Sequence, residues 1–172
     1  MNVFYVDNDP KISAQCLVDK HVVKMIVESA QILSTNIRLL ESHPDMGLYR
    51  ATHINHPCTI WSRSSSCNYQ WLYDHYISLL EEYTFRYGKK HQSSSLINLL
   101  REPPLKIPSG ILTTPALAMP NEYKIIGNPV ESYRNYYRLG KSHIHKWTKR
   151  NAPSWIKNNG HGSGERENLI NS

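Results

Sequence analysis

The sequence predicts a mainly α fold: a single compact helical domain over residues 1–157, with at most a short N-terminal strand and a long Pro-rich loop. Three observations predict it. Apolar residues recur at helical spacing over two long stretches, 11–40 and 57–87. Hydrophobic residues make up 40% of the 172, enough to fill one core. Six of the ten prolines fall between 103 and 129, which excludes a regular helix there.

Each element follows from local chemistry. "NVFYV" (2–6) is a short run of β-branched and aromatic residues and reads as a short strand or a buried extended segment. "DNDP" stops it and offers Asp9 as a helix cap with Pro10 at the first helical position. One helix is then expected to about residue 40. Val18, Val22, Met25, Ser29, Leu33 and Ile37 form its apolar stripe, and Lys20, Lys24, Glu28, Gln31 and Thr35 a second, polar one. "SHPDMG" breaks the chain. "NHPC" starts a second helix, capped by Asn55 or His56, which runs to Tyr87 and ends at Gly88. A shorter helix is expected around 93–101.

The Pro-rich stretch keeps Ile111, Leu112, Leu117 and Met119, so it is expected to pack against the core. "NPVE" supplies a capping box for a helix from Pro129 to about Leu139, and a further helix is expected over 141–150. Residues 158–172 are rich in Gly, Ser and Asn and read as a flexible C-terminal tail.

Charge narrows the partners. The net charge of +6 favours an anionic partner, DNA or a nucleotide. No apolar run is long enough for a membrane span. Three cysteines without a CxxC pair read as reduced thiols, hence a cytoplasmic protein. The basic residues concentrate late. Arg134, Arg138, Lys141, Lys146, Lys149, Arg150 and Lys157 occur with no acidic residue from 133 to 157, interleaved with Tyr133, Tyr136, Tyr137, Trp147 and Trp155. Cations neutralise phosphates and aromatic rings stack on unpaired bases. Tyr133, Arg134, Tyr137, Lys141, Trp147, Lys149 and Arg150 are therefore candidate nucleic-acid contacts. Arg63 and Asn68, at the start of the second helix, join them.

The chemistry is expected on "DKHVVKM". Lys20 and Lys24 sit one turn apart, and like charges at that spacing repel. An amine whose proton is made easier to lose becomes a nucleophile. Glu28 is placed to take its proton, and His21 to act as acid or base. An ordinary i,i+4 ion pair accounts for Lys24 and Glu28 just as well. Three alternatives stand beside this. His53 and His56 could be metal ligands, although capping explains His56. Asp7, Asp9 and Glu28 could serve a metal-dependent nuclease. A non-enzymatic protein that sequesters nucleotides or blocks a host defence would need only the basic surface. No cofactor is implied.

The motifs "NVFYVDNDP", "DKHVVKM", "THINHPCTIWSR", "EYTFRYGKKH", "AMPNEYK" and "YRNYYRLGK" resemble a family of small tailed-bacteriophage proteins labelled pyrimidine dimer DNA glycosylase. The resemblance spans about residues 2–155. It implies a DNA-acting enzyme, placed in the host cytoplasm, that excises or modifies an extruded pyrimidine. The phage enzyme endonuclease V gives that label its chemistry: a compact helical protein whose N-terminal threonine amine is the nucleophile, assisted by one glutamate. Here Asn2 follows Met1, and asparagine disfavours removal of the methionine. The expectation therefore shifts to Lys20 or Lys24 as the amine, with Glu28 as the carboxylate.

Overall fold

The computed structural model describes residues 1–42, 44 and 47–157. Part of the "SHPDMG" break and the whole of the expected tail lie outside the described residues. Six α-helices follow in order: α1 (Pro10–Cys16), α2 (Asp19–Leu40), α3 (Pro57–Arg63), α4 (Ser66–Tyr87), α5 (Ile97–Leu100) and α6 (Pro129–Asn135). Among the described residues there is no strand, so the fold is mainly α. Among the described residues no helix is long and apolar enough to cross a membrane.

Both long helices are broken once where one continuous helix was expected. Asp9 caps α1 through the Lys11 and Ile12 N–H groups, with Pro10 at its start. The chain then turns extended at Leu17 and Val18, both fully buried. That break lets α1 and α2 each lie against α4. The second interruption falls in the serine run. Ser65 is extended, and its hydroxyl accepts from the Cys67 N–H to cap α4. Gly88 ends α4 in the left-handed conformation, φ 66°.

The apolar stripe of α2 is buried as its spacing requires, and so are Tyr69, Tyr73, Tyr76 and Leu80 of α4. Residues 2–6 thread into this core without a strand partner, and side chains satisfy their backbone instead. Asn2 Oδ1 accepts from the Val3 and Phe4 N–H groups. Ser13 Oγ accepts from Val6 N–H and donates to the Phe4 carbonyl. Phe4 takes a left-handed φ of 50°. Its ring stacks on His21 at 4.1 Å, and Tyr5 stacks on Trp71 at 4.3 Å.

Further corrections concern the second half. Residues 92–100 form a 3-10 turn followed by the short α5. The Pro-rich stretch is a strap with one 3-10 turn, Asn121–Tyr123. Trp61, Ser65 and Tyr133 donate to its carbonyls at Thr113, Ile111 and Ala116. Leu117 and Met119 pack inward, whereas Ile111 and Leu112 are exposed. Asn128 caps α6 through the Glu131 N–H as predicted. The helix continues only as a π-helical turn, Tyr136–Gly140. No helix fills 141–150, apart from the 3-10 turn Ser142–Ile144. Its backbone is committed elsewhere: the Lys146 carbonyl accepts from Asp19 N–H, and the Thr148 N–H donates to Asp19 Oδ1.

Candidate active site

Glu28 is the centre of the arrangement. It sits on α2 only 9% exposed, between the chain start and the turn before α3. Its Oε2 accepts from the Asn2 N–H at 2.8 Å and lies 3.8 Å from the Met1 amino nitrogen. Its Oε1 lies 3.4 Å from Lys24 Nζ. Two nitrogens thus face one oxygen of this carboxylate and a third faces the other.

The chain start is fixed in place. Asn2 Nδ2 donates to the Ala118 carbonyl at 2.7 Å, tying residue 2 to the strap. The Thr59 hydroxyl donates to Met1 Sδ at 3.6 Å. The turn 52–56 packs on the same helix. Thr35, two turns along α2 from Glu28, accepts from Thr52 N–H and donates to its carbonyl. His53 holds a left-handed φ of 48°, with Nδ1 2.7 Å from the Thr52 hydroxyl. A non-glycine residue in that region signals local strain. His56 caps α3 by accepting from Cys58 N–H, so a neutral ring carries its proton on Nε2. Burial lowers its pKa, and the nearby terminal ammonium and His53 lower it further, against an opposing pull from Glu28.

The sequence-predicted catalytic residues separate. Glu28 and Lys24 meet. Lys20 is exposed and does not touch Glu28. The His21 ring is buried and hydrogen-bonded to the Tyr137 hydroxyl at 2.5 Å. Burial, then Lys141 and Lys24, lower its pKa to about 3. The ring also stacks on Phe4, which sets His21 in the core.

The candidate nucleic-acid contacts need more correction. Tyr133 and Tyr137 are wholly buried and cannot stack on a base in this conformation. Asn68 is wholly buried too. Its amide donates to Trp61 O, Ser64 Oγ and Thr113 Oγ1, and its Oδ1 accepts from Thr113 N–H. It anchors the strap. Arg63 Nη1 donates to the Ile54 carbonyl and so holds the His53 turn. Arg134 pairs with Asp7 at 3.0 Å and lies over the Trp155 ring. Arg150 grips both Glu82 oxygens. Trp147 is half-buried, its indole N–H donating to the Cys16 carbonyl. Lys149 Nζ donates to the Phe85 carbonyl, and Lys141 lies over the Tyr136 ring at 4.9 Å.

The carboxylates of the nuclease alternative are apart in role: Asp9 caps α1, Asp7 pairs with Arg134 and Glu28 faces the chain start. Among the described residues no group of three His, Cys, Asp or Glu is placed to hold a metal. What sequence reading missed is the backbone nitrogen of the first two residues. No local pattern announces it, because its partner is 26 positions away; only the family resemblance pointed to a terminal amine, and Asn2 argued against it.

No curated protein and no solved structure matches the chain. Residues 1–95 match the model of a protein family described as pyrimidine dimer DNA glycosylase. These residues hold every group around Glu28 except the strap, and they are more than half of the chain, which therefore belongs to that family.

Proposed function

We propose that the protein is a DNA glycosylase with lyase chemistry, acting on an extruded pyrimidine, with the α-amine at the chain start as nucleophile and Glu28 as its carboxylate. One observation carries this: the Met1 nitrogen and the Asn2 nitrogen lie 3.8 and 2.8 Å from the same Glu28 oxygen. Either residue, if it bears the terminal amine, presents it to that carboxylate. Lys24, at 3.4 Å from the other oxygen, is the second candidate amine.

The chemistry balances with these groups alone. Glu28 takes a proton from the ammonium, freeing the nitrogen lone pair. The amine attacks C1′ of the deoxyribose while the glycosidic bond breaks; the base leaves with its electrons and takes the proton that Glu28 received, which makes the carboxylate negative again. The negative carboxylate stabilises the positive charge that develops on the sugar. Ring opening gives an imine between the chain and C1′, from which strand cleavage proceeds by elimination of the 3′ phosphate. Extruding the base costs a few kcal/mol, least at a damaged pair.

Borohydride reduces such an imine to a stable amine. Intact mass of the protein defines which residue bears the amine, and peptide mapping of the trapped protein–DNA adduct defines which nitrogen reacted. The expected adduct lies on the N-terminal peptide and is absent in Glu28→Gln. An adduct on Lys24 would move the nucleophile to that side chain. No adduct and no released base would sink the reading.

A further inference from the structure

A groove of about 460 Å³ opens beside the N-terminal end of α2, lined by Asp19, Lys20, Val23, Tyr87, Lys146 and Thr148. Two chain segments form it. The backbone bond from Asp19 N–H to the Lys146 carbonyl, 2.8 Å, sets the C-terminal segment against the helix and brings Lys146 beside Lys20. Both lysines are exposed, and neither ammonium has a hydrogen bond or ion pair among the described residues. Four arginines differ: Arg86, Arg134, Arg138 and Arg150 are each paired with a carboxylate.

We propose that this groove seats a phosphate of the DNA strand between the Lys20 and Lys146 ammonium groups, and that the strand then runs along α2 towards Glu28. The groove's own carboxylate does not oppose this. Asp19 is neutralised by Arg86 at 2.9 Å, and also accepts from the Thr148 N–H and hydroxyl. Val23 and Tyr87 supply apolar walls on which a deoxyribose can pack. Lys20 precedes Glu28 by eight residues, about 12 Å of helix at ~1.5 Å per residue. That is the axial rise of about three to four nucleotides of B-form strand. Lys24, one turn on and 66% exposed, lies between the two and extends the positive track. Lys20 thereby becomes a phosphate contact and not a nucleophile. The proposal rests on the reading of Glu28 as the reaction centre, but the salt slope that tests it does not.

The test is the salt dependence of binding to a duplex carrying a pyrimidine dimer, followed by fluorescence anisotropy from about 50 to about 200 mM salt. Each phosphate contact contributes close to one unit to the slope of log affinity against log salt. Lys20→Gln/Lys146→Gln should lower the slope by about two, with an unchanged unfolding midpoint. Lys106→Gln, whose Nζ contacts Ser42 on the strap side, should leave it unchanged. A double variant with the unaltered slope overturns the phosphate seat and leaves the Glu28 reading standing. An equal loss in Lys106→Gln overturns it as well, since bulk charge then suffices. A borohydride adduct mapped to Lys20 in the unaltered protein returns Lys20 to the role of nucleophile and overturns its role as a phosphate contact. Failure of the unaltered protein to bind DNA at all overturns both proposals.

Discussion

The Lys20–Lys146 groove and the Arg86 network lie side by side, share Asp19, and use positive charge in opposite ways. Arg86 is fully buried, its guanidinium divided among Asp19, Glu82 and the Gln15 carbonyl. Arg150 adds a bidentate grip on Glu82 and lies over the Phe85 ring. The network binds α1, α2, α4 and the C-terminal segment together. Lys20 and Lys146, which line the groove with Asp19, are exposed and uncommitted. The planar guanidinium fork suits fixed carboxylate partners, whereas a lysine on a flexible stem remains available to a mobile phosphate. Net charge alone does not distinguish these two uses.

The comparison can be broken in several places, and the largest effect belongs to Glu28. Glu28→Gln should lower single-turnover strand cleavage by about 10²–10⁴-fold, the range for a lost acid–base group, while DNA binding keeps its salt slope. Cleavage within a few-fold of the unaltered protein would remove Glu28 from the chemistry. Next is the buried arginine. Arg86→Met leaves the buried Asp19 without its cation, while Glu82 keeps Arg150, and should cost about 3–5 kcal/mol in urea denaturation. A loss below about 1 kcal/mol would show that Asp19 finds another partner.

Acid should weaken the core and spare the lysine groove. His21 and His75 are buried and neutral, their pKa values lowered to about 3 and about 4, chiefly by burial. Below pH ~6.5 the unfolded chain takes up protons that these rings refuse, so stability falls with pH towards those lowered values. Each ring contributes at most ~1.4 kcal/mol per pH unit in that window. Asp19 acts in the same direction at lower pH. Hydrogen bonds from Thr148 and Arg86 outweigh its burial and depress its pKa, so its contribution is lost only as pH falls through the depressed value. Denaturation midpoints measured from pH 7 to pH 4 check this. A flat profile between 6.5 and 4 would mean that both rings charge freely in the folded state.

The smallest effects sharpen the contrast. Arg134→Gln breaks a part-exposed pair with Asp7 and should cost under ~1 kcal/mol, with the DNA salt slope unchanged. Lys146→Gln should do the reverse: stability within about ±0.5 kcal/mol and a slope lower by about one. If both variants shift the slope alike, the division of labour between arginine and lysine fails.

Much of the fold was legible in the sequence because it rests on local rules. Helical periodicity marked the buried stripe of α2 and the tyrosines of α4. Caps at Asp9, His56 and Asn128 and the stop at Gly88 fell where their chemistry places them. The breaks at residues 17–18 and 64–65 were not legible, since both serve packing on α4 and the strap. The aromatic-basic pattern of 133–150 could not show the burial of Tyr133 and Tyr137 in the core, nor the pairing of Arg134 and Arg150 with carboxylates far away in the chain.

The sequence by itself determined a helical protein rich in positive charge, with a glutamate on the polar side of its longest amphipathic helix. Tertiary structure decided what that glutamate meets. Periodicity places Glu28 on a face, but only the threading of residues 1–6 through the core, held by Asn2, Ser13 and the strap, carries the first backbone nitrogens to its oxygen. Helical period is encoded within a few residues. A contact across 26 positions depends on how the whole core closes.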